Sequence, residues 1–514
     1  MSPNTRSSVG RCVSQCVTVT LTLLLACLAL ASEGQTPLVA PNAEYRPDQI
    51  LIQPKEGVDS DALANFHTTH RAEVLHTFHR FRHLQVVKVP QGETVPGLIS
   101  KYQKSGLIEF AEPDYIVHAA AAPNDPLFTD GTAWWLNNTG QNGGTPHADI
   151  DALDAWNFMT SASNVVVAVL DTGVRYTHED LASNMWVNPL DGSHGFNAFT
   201  GTNNIDDDNG HGTLVCGVLG AVGNNGKGLS GPAWTVQMMI CKCLNSAGGG
   251  SDSTVVASFD FAETNGARVV NVSIAGAGVS LAISNAIVAA QQAGIIVVAA
   301  CGDGNFLNPN VNVDMLPNYP ACYPMDNIIS VAGTTRNDTL GLRSDFGPTT
   351  VDLGAPGDQI STTYTNSDSD YAISTPSQGI SGTSFAAPLV SAAAAMVIAK
   401  YPADNYRQII ARILKGTDPV PALAGKCVTG GRLNLFKALS PPIDLSVAPG
   451  TNGSPFQLTV STGPDRVCVI QSSPDLTNWF PVFTNTTDTN GVFSFVDDNS
   501  TNAPQLFYRA VSTP

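Results

Sequence analysis

The chain has 514 residues, of which 43% are hydrophobic and 13% charged, a balance that excludes a disordered or coiled-coil protein. Its 25 basic and 43 acidic residues give a net charge of −18, which argues against a nucleic-acid-binding protein. At about 150 residues per domain, this length suggests three or four domains. The 46 glycines and 33 prolines indicate a loop-rich α/β or β protein.

Residues 1–31 have the features of a secretory signal peptide. Arg6 and Arg11 are followed by an apolar run at 17–30, and Ala29-Leu30-Ala31 forms a small-residue cleavage site. The run is shorter than the ~20 residues that a transmembrane anchor needs. A lipoprotein signal ending at Cys27 is the less favoured alternative, so we expect a secreted, extracellular protein without a membrane span.

Residues 45–118 predict a small α+β domain. Strands are expected near 49–53, 84–89 and 108–117, helices near 59–70 and 93–105, and one more strand near 73–79. The resulting βαββαβ order is typical of a ferredoxin-like sheet. The small residues 119–122 then form a joint before Pro123 at which the chain could be cut.

Residues 123–440 alternate apolar strands with helices. The runs 165–170, 269–273 and 295–300 are apolar enough for buried parallel strands, which predicts a doubly wound, mostly parallel α/β domain. Pro441-Pro442 is a boundary. Residues 443–514 have alternating strands with turn clusters, and predict a small all-β, sandwich-like module.

Three polar residues lie at the ends of predicted elements. Asp171 directly follows the strand 165–170, His211 opens an apolar helix within Asn-Gly-His-Gly-Thr, and Ser384 opens another within Ser-Gly-Thr-Ser-Phe-Ala-Ala-Pro. Each context alone is more often structural. Together, in the order Asp, His, Ser, they predict a nucleophile, its general base and a carboxylate that orients the base.

These motifs resemble the three signatures of the subtilisin-like serine proteases. The resemblance covers about residues 125–440, and residues 45–118 are similar to the inhibitory propeptide of that family. It implies a serine endopeptidase that acts on polypeptides and is made as a self-processing zymogen, with its own propeptide as inhibitor and a maturation cut within 119–122. An α/β-hydrolase esterase is disfavoured, because Ser384 does not lie in G-x-S-x-G.

One departure from the family pattern concerns the oxyanion hole. Asp303 stands where the family has an asparagine that donates a hydrogen bond, and losing such a donor costs roughly 2.7–4 kcal/mol in the barrier. The Ser384 N–H and the Thr383 hydroxyl remain as donors, and Asn305 is a possible substitute. The alternative to an active protease is therefore a weak or inactive binding protein of the same fold.

The resemblance also implies a substrate site. The family binds peptides as an added strand between two segments, which match residues 248–251 and 273–276 here. The substrate-binding residues expected in these segments are Gly249, Ser273, Ala275 and Gly276. Ala275 replaces a glycine of the primary pocket, so its methyl group is expected to narrow that pocket and favour small side chains.

Calcium and a disulfide are the last implications. The loop 224–229 resembles the calcium loop of the family, so Asn224 and Asn225 with Asp180 and Asp125 are expected to bind a structural Ca²⁺ through oxygen ligands. Seven cysteines remain after the signal peptide, and Cys301 and Cys322 border the pocket in the family. We expect either a disulfide between this pair or two buried thiols.

Overall fold

The computed structural model describes residues 45–115, 122–305, 307–375, 379–441, 443–448, 457–462, 467–488, 491–497 and 506–512. The predicted signal peptide and residues 119–121 of the predicted maturation site lie outside the described residues. The chain divides into two compact units: Ala119–Ser440 forms one, and Met1–His118 with Pro441–Pro514 forms the second.

The N-terminal domain has the predicted ferredoxin-like order. Its elements are β1 (Tyr45–Pro54), α1 (Ser60–Thr69), β2 (Glu73–Phe78), β3 (Leu84–Lys88), α2 (Val95–Ser105) and β4 (Ile108–Tyr115). The antiparallel sheet has the order β2-β3-β1-β4, which confirms the additional strand near 73–79. Asp59 caps α1, and Thr94 caps α2 by accepting the Gly97 N–H. The apolar faces of both helices pack with the sheet into one core.

The central domain is the predicted doubly wound α/β domain. Its elements are α3 (Pro126–Thr129), α4 (Ala152–Ala155), β5 (Ser161–Asp171), β6 (Gly195–Asn197), α5 (His211–Gly220), β7 (Thr235–Lys242), α6 (Asp252–Thr264), β8 (Val269–Val272), α7 (Leu281–Gln292), β9 (Ile296–Ala300), β10 (Ile328–Thr334), β11 (Leu353–Pro356), β12 (Thr362–Thr363), β13 (Tyr371–Ala372), α8 (Thr383–Lys400), α9 (Tyr406–Lys415), β14 (Asp418–Pro419), β15 (Gly431–Arg432) and α10 (Leu435–Leu439). Nine strands form one sheet in the order β14-β15-β11-β10-β9-β8-β5-β7-β6. All neighbours are parallel except β14 and β15.

Both faces of this sheet are buried. Along β5, Val167 and Val169 belong to one core cluster, whereas Ala168 and Leu170 belong to the cluster on the opposite face. The near-continuous apolar runs that the sequence shows follow from this double covering. Among the residues that the structure describes, α8 is the one helix long and apolar enough to cross a membrane, and 83% of its apolar window is buried inside the protein.

The C-terminal module is all-β, as predicted. Its strands are β16 (Asp444–Ala448), β17 (Gln457–Ser461), β18 (Val467–Ser473), β19 (Phe480–Thr486), β20 (Val492–Val496) and β21 (Phe507–Ser512). They form two antiparallel sheets, β16-β17-β20 and β19-β18-β21. Leu458 and Phe493 from one sheet share a core with Cys468 and Ile470 from the other, which gives the sandwich-like packing.

The sheet order places a crevice at the end of β5. The chain leaves β5 to build β6 and β7 on one side, and then builds β8 to β11 on the other. In an open parallel sheet such a reversal leaves a crevice at the carboxyl ends of the strands, where ligands bind. Asp171 is the last residue of β5 and lies at this position.

Candidate active site

Asp171 and His211 form a hydrogen-bonded pair at this crevice. Asp171 is fully buried, and its Oδ1 lies 2.8 Å from Nδ1 of His211, the first residue of α5. The same oxygen accepts the Thr172 N–H at 2.7 Å. A carboxylate at Nδ1 holds that nitrogen protonated, so Nε2 carries the lone pair that can take a proton.

The surroundings of His211 favour its charged form. Burial of the ring lowers its pKa, but the charge and hydrogen bond of Asp171 together with neighbouring carboxylates outweigh burial, so that the pKa is raised above its ordinary value. The negative charges of Asp207 and Asp303 act in the same direction. The neutral imidazole that a general base requires is therefore reached at a higher pH than for a free histidine.

Asp207 is a residue of this site that the sequence did not reveal. Its carboxylate accepts the Thr172 hydroxyl at 2.8 Å, the Thr213 hydroxyl at 2.7 Å and the Gly210 N–H at 2.8 Å. Burial raises its pKa, but these bonds outweigh burial and lower it. They join the segment after β5 to the start of α5, so Asp207 holds the two segments of the His211 pair together. In the sequence it is one of three consecutive aspartates, which is more typical of a solvated loop.

Ser384 is the second residue of α8 and is reciprocally bonded to Ser273. Its Oγ donates to the Ser273 carbonyl oxygen at 3.1 Å, and the Ser273 hydroxyl donates to the Ser384 carbonyl oxygen at 2.9 Å. The ring of the next residue, Phe385, has its centroid 5.8 Å from that of His211. α8 thus begins beside the His211 ring, with the Ser384 hydroxyl turned toward the Ser273 carbonyl oxygen, just after β8. Catalytic hydrogen bonds often tighten only when substrate is bound.

Asp303 and Thr383 meet beside Ser384. Asp303 Oδ1 accepts the Thr383 N–H at 2.8 Å, and the Gly302 N–H donates to the Thr383 hydroxyl oxygen at 3.3 Å. The residue Asp303 as a whole is exposed, but its carboxyl group is largely surrounded by protein atoms. This desolvation raises its pKa, and the bonds from Thr383 only partly oppose it. Asn305 instead caps its own turn, because its Oδ1 accepts two following backbone N–H groups.

A cleft of about 540 Å³ lies next to these groups. All four substrate-binding residues expected from the sequence line it, together with His211. Its other lining residues are Thr172, Asn209, Leu244, Gly248, Gly250, Ser251, Asp252, Val255, Ile274, Gly278, Ile283, Tyr319 and Pro320. Gly276 exchanges two backbone hydrogen bonds with Tyr319, at 2.9 and 2.7 Å, which fixes one wall of the cleft.

The four residues expected to bind calcium come together at the loop that follows α5. Asp125 accepts the backbone N–H groups of Asn224 at 2.7 Å and Asn225 at 3.0 Å. Asp180 accepts the Asn225 side-chain amide at 2.7 Å. Both carboxylates are fully buried, and burial raises the pKa of Asp180 to about 7. Within the described ranges, no group of three or more His, Cys, Asp and Glu side chains could hold a metal ion, so the remaining ligands would have to be amide or backbone oxygens.

The expected Cys301–Cys322 disulfide is wrong, because both residues are free thiols. Cys301 is fully buried at the end of β9, where its Sγ donates to the Asp345 carbonyl oxygen at 3.2 Å. It packs among Val313 and Ala332 in a small apolar cluster. The alternative that the sequence left open was two buried thiols; both residues are free thiols, but Cys301 is buried whereas Cys322 is half-buried.

Comparison with known proteins identifies the family. The profile of the subtilase family matches residues 162–430, which is more than half of the chain. The chain belongs to the subtilase family. A second profile, that of the fervidolysin N-terminal prodomain, matches residues 32–114 of this subtilase. The protein is therefore a serine-type endopeptidase, and its prodomain shows that it is made as a zymogen.

Relatives of this subtilase support the same assignment. It is 29% identical over 403 residues to the thermophilic serine proteinase of Bacillus sp. (strain AK1), covering 77% of this chain and 88% of that protein. It is 31% identical over 318 residues to thermitase of Thermoactinomyces vulgaris, covering 62% and 99%. A solved protease structure from Pseudoalteromonas arctica superposes with a TM-score of 0.51 at 25% identity, covering 62% of this chain and 99% of that one.

Proposed function

We propose that this subtilase is an exported endopeptidase that cleaves peptide bonds with Ser384 as nucleophile, His211 as general base and Asp171 as the carboxylate that orients the base. The observation that carries the proposal is the 2.8 Å pair between Asp171 and His211, beside the start of α8 that bears Ser384. Export through a signal peptide at 1–31 rests on the sequence motif.

The reaction begins when the substrate backbone donates a hydrogen bond to the Ser273 carbonyl oxygen and so releases the Ser384 hydroxyl from it. Ser384 Oγ then attacks the scissile carbonyl carbon while its proton passes to Nε2 of His211. The imidazolium, stabilised by Asp171, gives that proton to the leaving amine as the C–N bond breaks. Water, deprotonated by the same histidine, hydrolyses the acyl-enzyme and restores Ser384.

The negative oxygen of the tetrahedral intermediate needs hydrogen-bond donors. We assign this role to the Ser384 N–H, the Thr383 hydroxyl and Asp303 in its protonated form. As a carboxylate, Asp303 has no proton to donate and repels the developing charge. Desolvation around Asp303 supports the assignment, because it raises the pKa and extends the protonated form to higher pH.

Substrate binds as an extended strand between residues 248–251 and 273–276, through Gly249, Ser273 and Gly276. Backbone pairing makes few demands on sequence, so we expect a general endopeptidase. Ala275 lines the cleft and its methyl group favours small side chains before the scissile bond. The chain's own alanines at 119–122 meet this demand, which supports self-processing there with the prodomain as intramolecular inhibitor.

A structural Ca²⁺ fits the cluster behind α5. Asp125 and Asp180 are fully buried carboxylates that pair with no lysine or arginine in the described part of the chain, and carboxylate and amide oxygens are the ligands that calcium prefers. Asn224 and Asn225 would complete the set with their amide oxygens. When bound, the ion stabilises the folded loop that follows α5 and takes no part in the reaction.

One observation favours the alternative of a weak or inactive binding protein. Asp303 already accepts the Thr383 N–H, as an ionised carboxylate would. Incubation of the purified, matured protein with a denatured protein substrate at pH 5 to 9 separates the two functions. We expect new peptide fragments in this pH range and none with Ser384→Ala. Intact substrate at every pH would favour the binding protein.

A further inference from the structure

A buried aspartate, Asp345, holds the backbone that leads to Asp303. Only 1% of the surface of Asp345 is exposed. Its N–H donates to the Gly302 carbonyl oxygen at 3.0 Å, and its carbonyl oxygen accepts the Cys301 thiol at 3.2 Å. We call residues 301–303 the oxyanion segment. Both residues of this segment that precede Asp303 are therefore hydrogen-bonded to Asp345.

The side chain of Asp345 joins the oxyanion segment to a second segment of the chain. Its Oδ1 accepts the Val311 N–H at 2.8 Å, and its Oδ2 accepts the Asn318 side-chain amide at 3.0 Å. The same amide group of Asn318 also donates to the Cys301 carbonyl oxygen at 3.3 Å. Asn318 is thus held between the carboxylate of Asp345 and the backbone of the oxyanion segment.

The backbone at Gly302 lies directly against this pair of side chains. Gly302 has a φ of +120°, and a Cβ at this position would collide with Asn318 Nδ2 and lie 2.7 Å from Asp345 Oδ2. A side chain would therefore be excluded both by the conformation and by the space, so glycine is required. The position of the peptide next to Asp303 depends on where Asp345 and Asn318 lie.

Asn318 leads straight into the wall of the substrate cleft. The next residue, Tyr319, lines the cleft and exchanges backbone hydrogen bonds at 2.9 and 2.7 Å with Gly276, which lines it too. A continuous series of contacts therefore runs from the oxyanion segment through Asp345 and Asn318 to the cleft wall.

We propose that Asp345 is a positioning residue that fixes the distance between the oxyanion segment and the cleft wall at Tyr319. This inference rests on the proposed function, in which substrate lies along that wall while its scissile carbonyl oxygen meets the oxyanion donors. A misplacement of about 1 Å costs roughly 10²-fold in rate. Asp345 contacts no reacting atom in this account and acts through the oxyanion segment.

Replacement of the Asp345 carboxylate tests the proposal. Burial raises the pKa of Asp345 to about 6, so kcat and KM for a peptide substrate are measured at pH 8, where the native carboxylate is ionised. We expect Asp345→Ala to lower kcat about tenfold to a hundredfold and to change KM less than threefold, because the loss concerns the transition state. Asp345→Asn keeps the shape and one acceptor oxygen, so it should retain more of the activity.

A double-mutant cycle separates this connection from general stability. Asn318→Ala should reproduce the loss of kcat, and its combination with Asp345→Ala should lose little more, because both changes break the same connection. Asp149→Ala is the matched control, since Asp149 is also buried and accepts two N–H groups, at 2.6 and 2.7 Å, from residues that do not line the cleft. It should lower Tm without lowering kcat.

Three results would overturn the positioning role: native kcat in folded Asp345→Ala enzyme, losses that add fully in the double variant, or the same loss of kcat in Asp149→Ala. Covalent labelling of Ser384 by an organofluorophosphonate tests the proposed function separately. An unlabelled native enzyme would overturn the proposed function and this inference with it. A labelled native enzyme whose kcat is unaffected by Asp345→Ala would overturn this inference alone.

Discussion

The catalytic centre has a base side, around His211, and an oxyanion side, around Asp303 and Ser384. The two sides differ in how far their hydrogen bonds are arranged for catalysis before substrate binds. On the base side, Asp171 and Asp207 receive hydrogen bonds that fix His211 before any substrate arrives. On the oxyanion side, Asp303 presents a carboxylate, and the Ser384 hydroxyl is hydrogen-bonded to the Ser273 carbonyl oxygen, just after β8. The base side is therefore held by hydrogen bonds before substrate binds, although Asp171 Oδ2 has no partner among the described residues. The oxyanion side depends on protonation and on substrate, and the predictions below test that difference.

The largest effect is expected from removing the nucleophile. Ser384→Ala should lower kcat by roughly a factor of 10⁶, the loss typical of a triad whose nucleophile is removed. Hydrolysis of a peptide substrate by purified protein measures it. Tm of both proteins, measured in parallel, serves as the control for folding defects. Residual activity of Ser384→Ala close to that of the native enzyme would mean that another group is the nucleophile.

The next largest effect concerns the oxyanion side. Asp303→Asn should raise kcat at pH 8 by about 10²-fold to 10³-fold, because it restores a donor that needs no added proton. The native enzyme needs neutral His211, which requires pH above a raised pKa, and protonated Asp303, which requires pH below its own raised pKa. The native optimum therefore lies in the overlap of these demands, and Asp303→Asn should move it upward.

Full pH–rate profiles for both enzymes measure this shift, and Asn305→Ala is the matched control, expected to leave the profile unchanged. An Asp303→Asn enzyme with the same rate at pH 8 and the same optimum would mean that backbone groups alone hold the oxyanion. The two sides of the centre would then be equally complete.

Removal of calcium tests whether a bound ion stabilises the loop that follows α5, the helix that begins at His211. A ligand that binds only the folded state adds about 2.7 kcal/mol to the free energy of unfolding when its free concentration is one hundred times Kd. EDTA should therefore lower Tm of the native enzyme, and Asp180→Ala should lower Tm without EDTA and lose most of the chelator effect. Asp149→Ala, another buried carboxylate bonded to backbone N–H groups, should keep that effect. A native Tm indifferent to EDTA would remove calcium from the account.

The smallest effect is expected at the wall of the cleft. Ala275→Gly removes a methyl group, and one such group in a pocket changes discrimination by about 1–3 kcal/mol. The ratio of kcat/KM for substrates with Phe and with Ala before the scissile bond should therefore rise about tenfold. Ile274→Val, which changes the neighbouring lining residue, is the control. An unchanged ratio would show that Ala275 does not border the side chain of that substrate residue.

The fold could be predicted from the sequence wherever burial sets the pattern. The run 165–170 is apolar throughout because β5 is covered on both faces. The end of this run placed Asp171 at the carboxyl end of the strand. The Gly-rich motifs around His211 and Ser384 likewise marked the starts of α5 and α8. These features are local in the chain, so periodicity and turn residues were enough to predict them.

Features that depend on distant contacts could not be predicted. The role of Asp207 depends on hydroxyls at 172 and 213, and in sequence it is one acid among three. The direction of the Ser384 hydroxyl is set by a carbonyl more than a hundred residues away. Pairing of Cys301 with Cys322 required a bonding geometry that sequence spacing does not contain. Both are free thiols, although Cys322 packs against the same apolar cluster as Cys301.

The most direct test of the account is covalent labelling of Ser384 in the matured enzyme by an organofluorophosphonate. The central claim is that the hydrogen-bonded pair of Asp171 and His211 activates Ser384, although Asp303 weakens the stabilisation of the oxyanion. We expect stoichiometric labelling at Ser384, located by peptide mass analysis, with a rate that falls as pH drops and His211 becomes protonated. Labelling that is absent at every pH, or that persists in Ser384→Ala, would contradict the account.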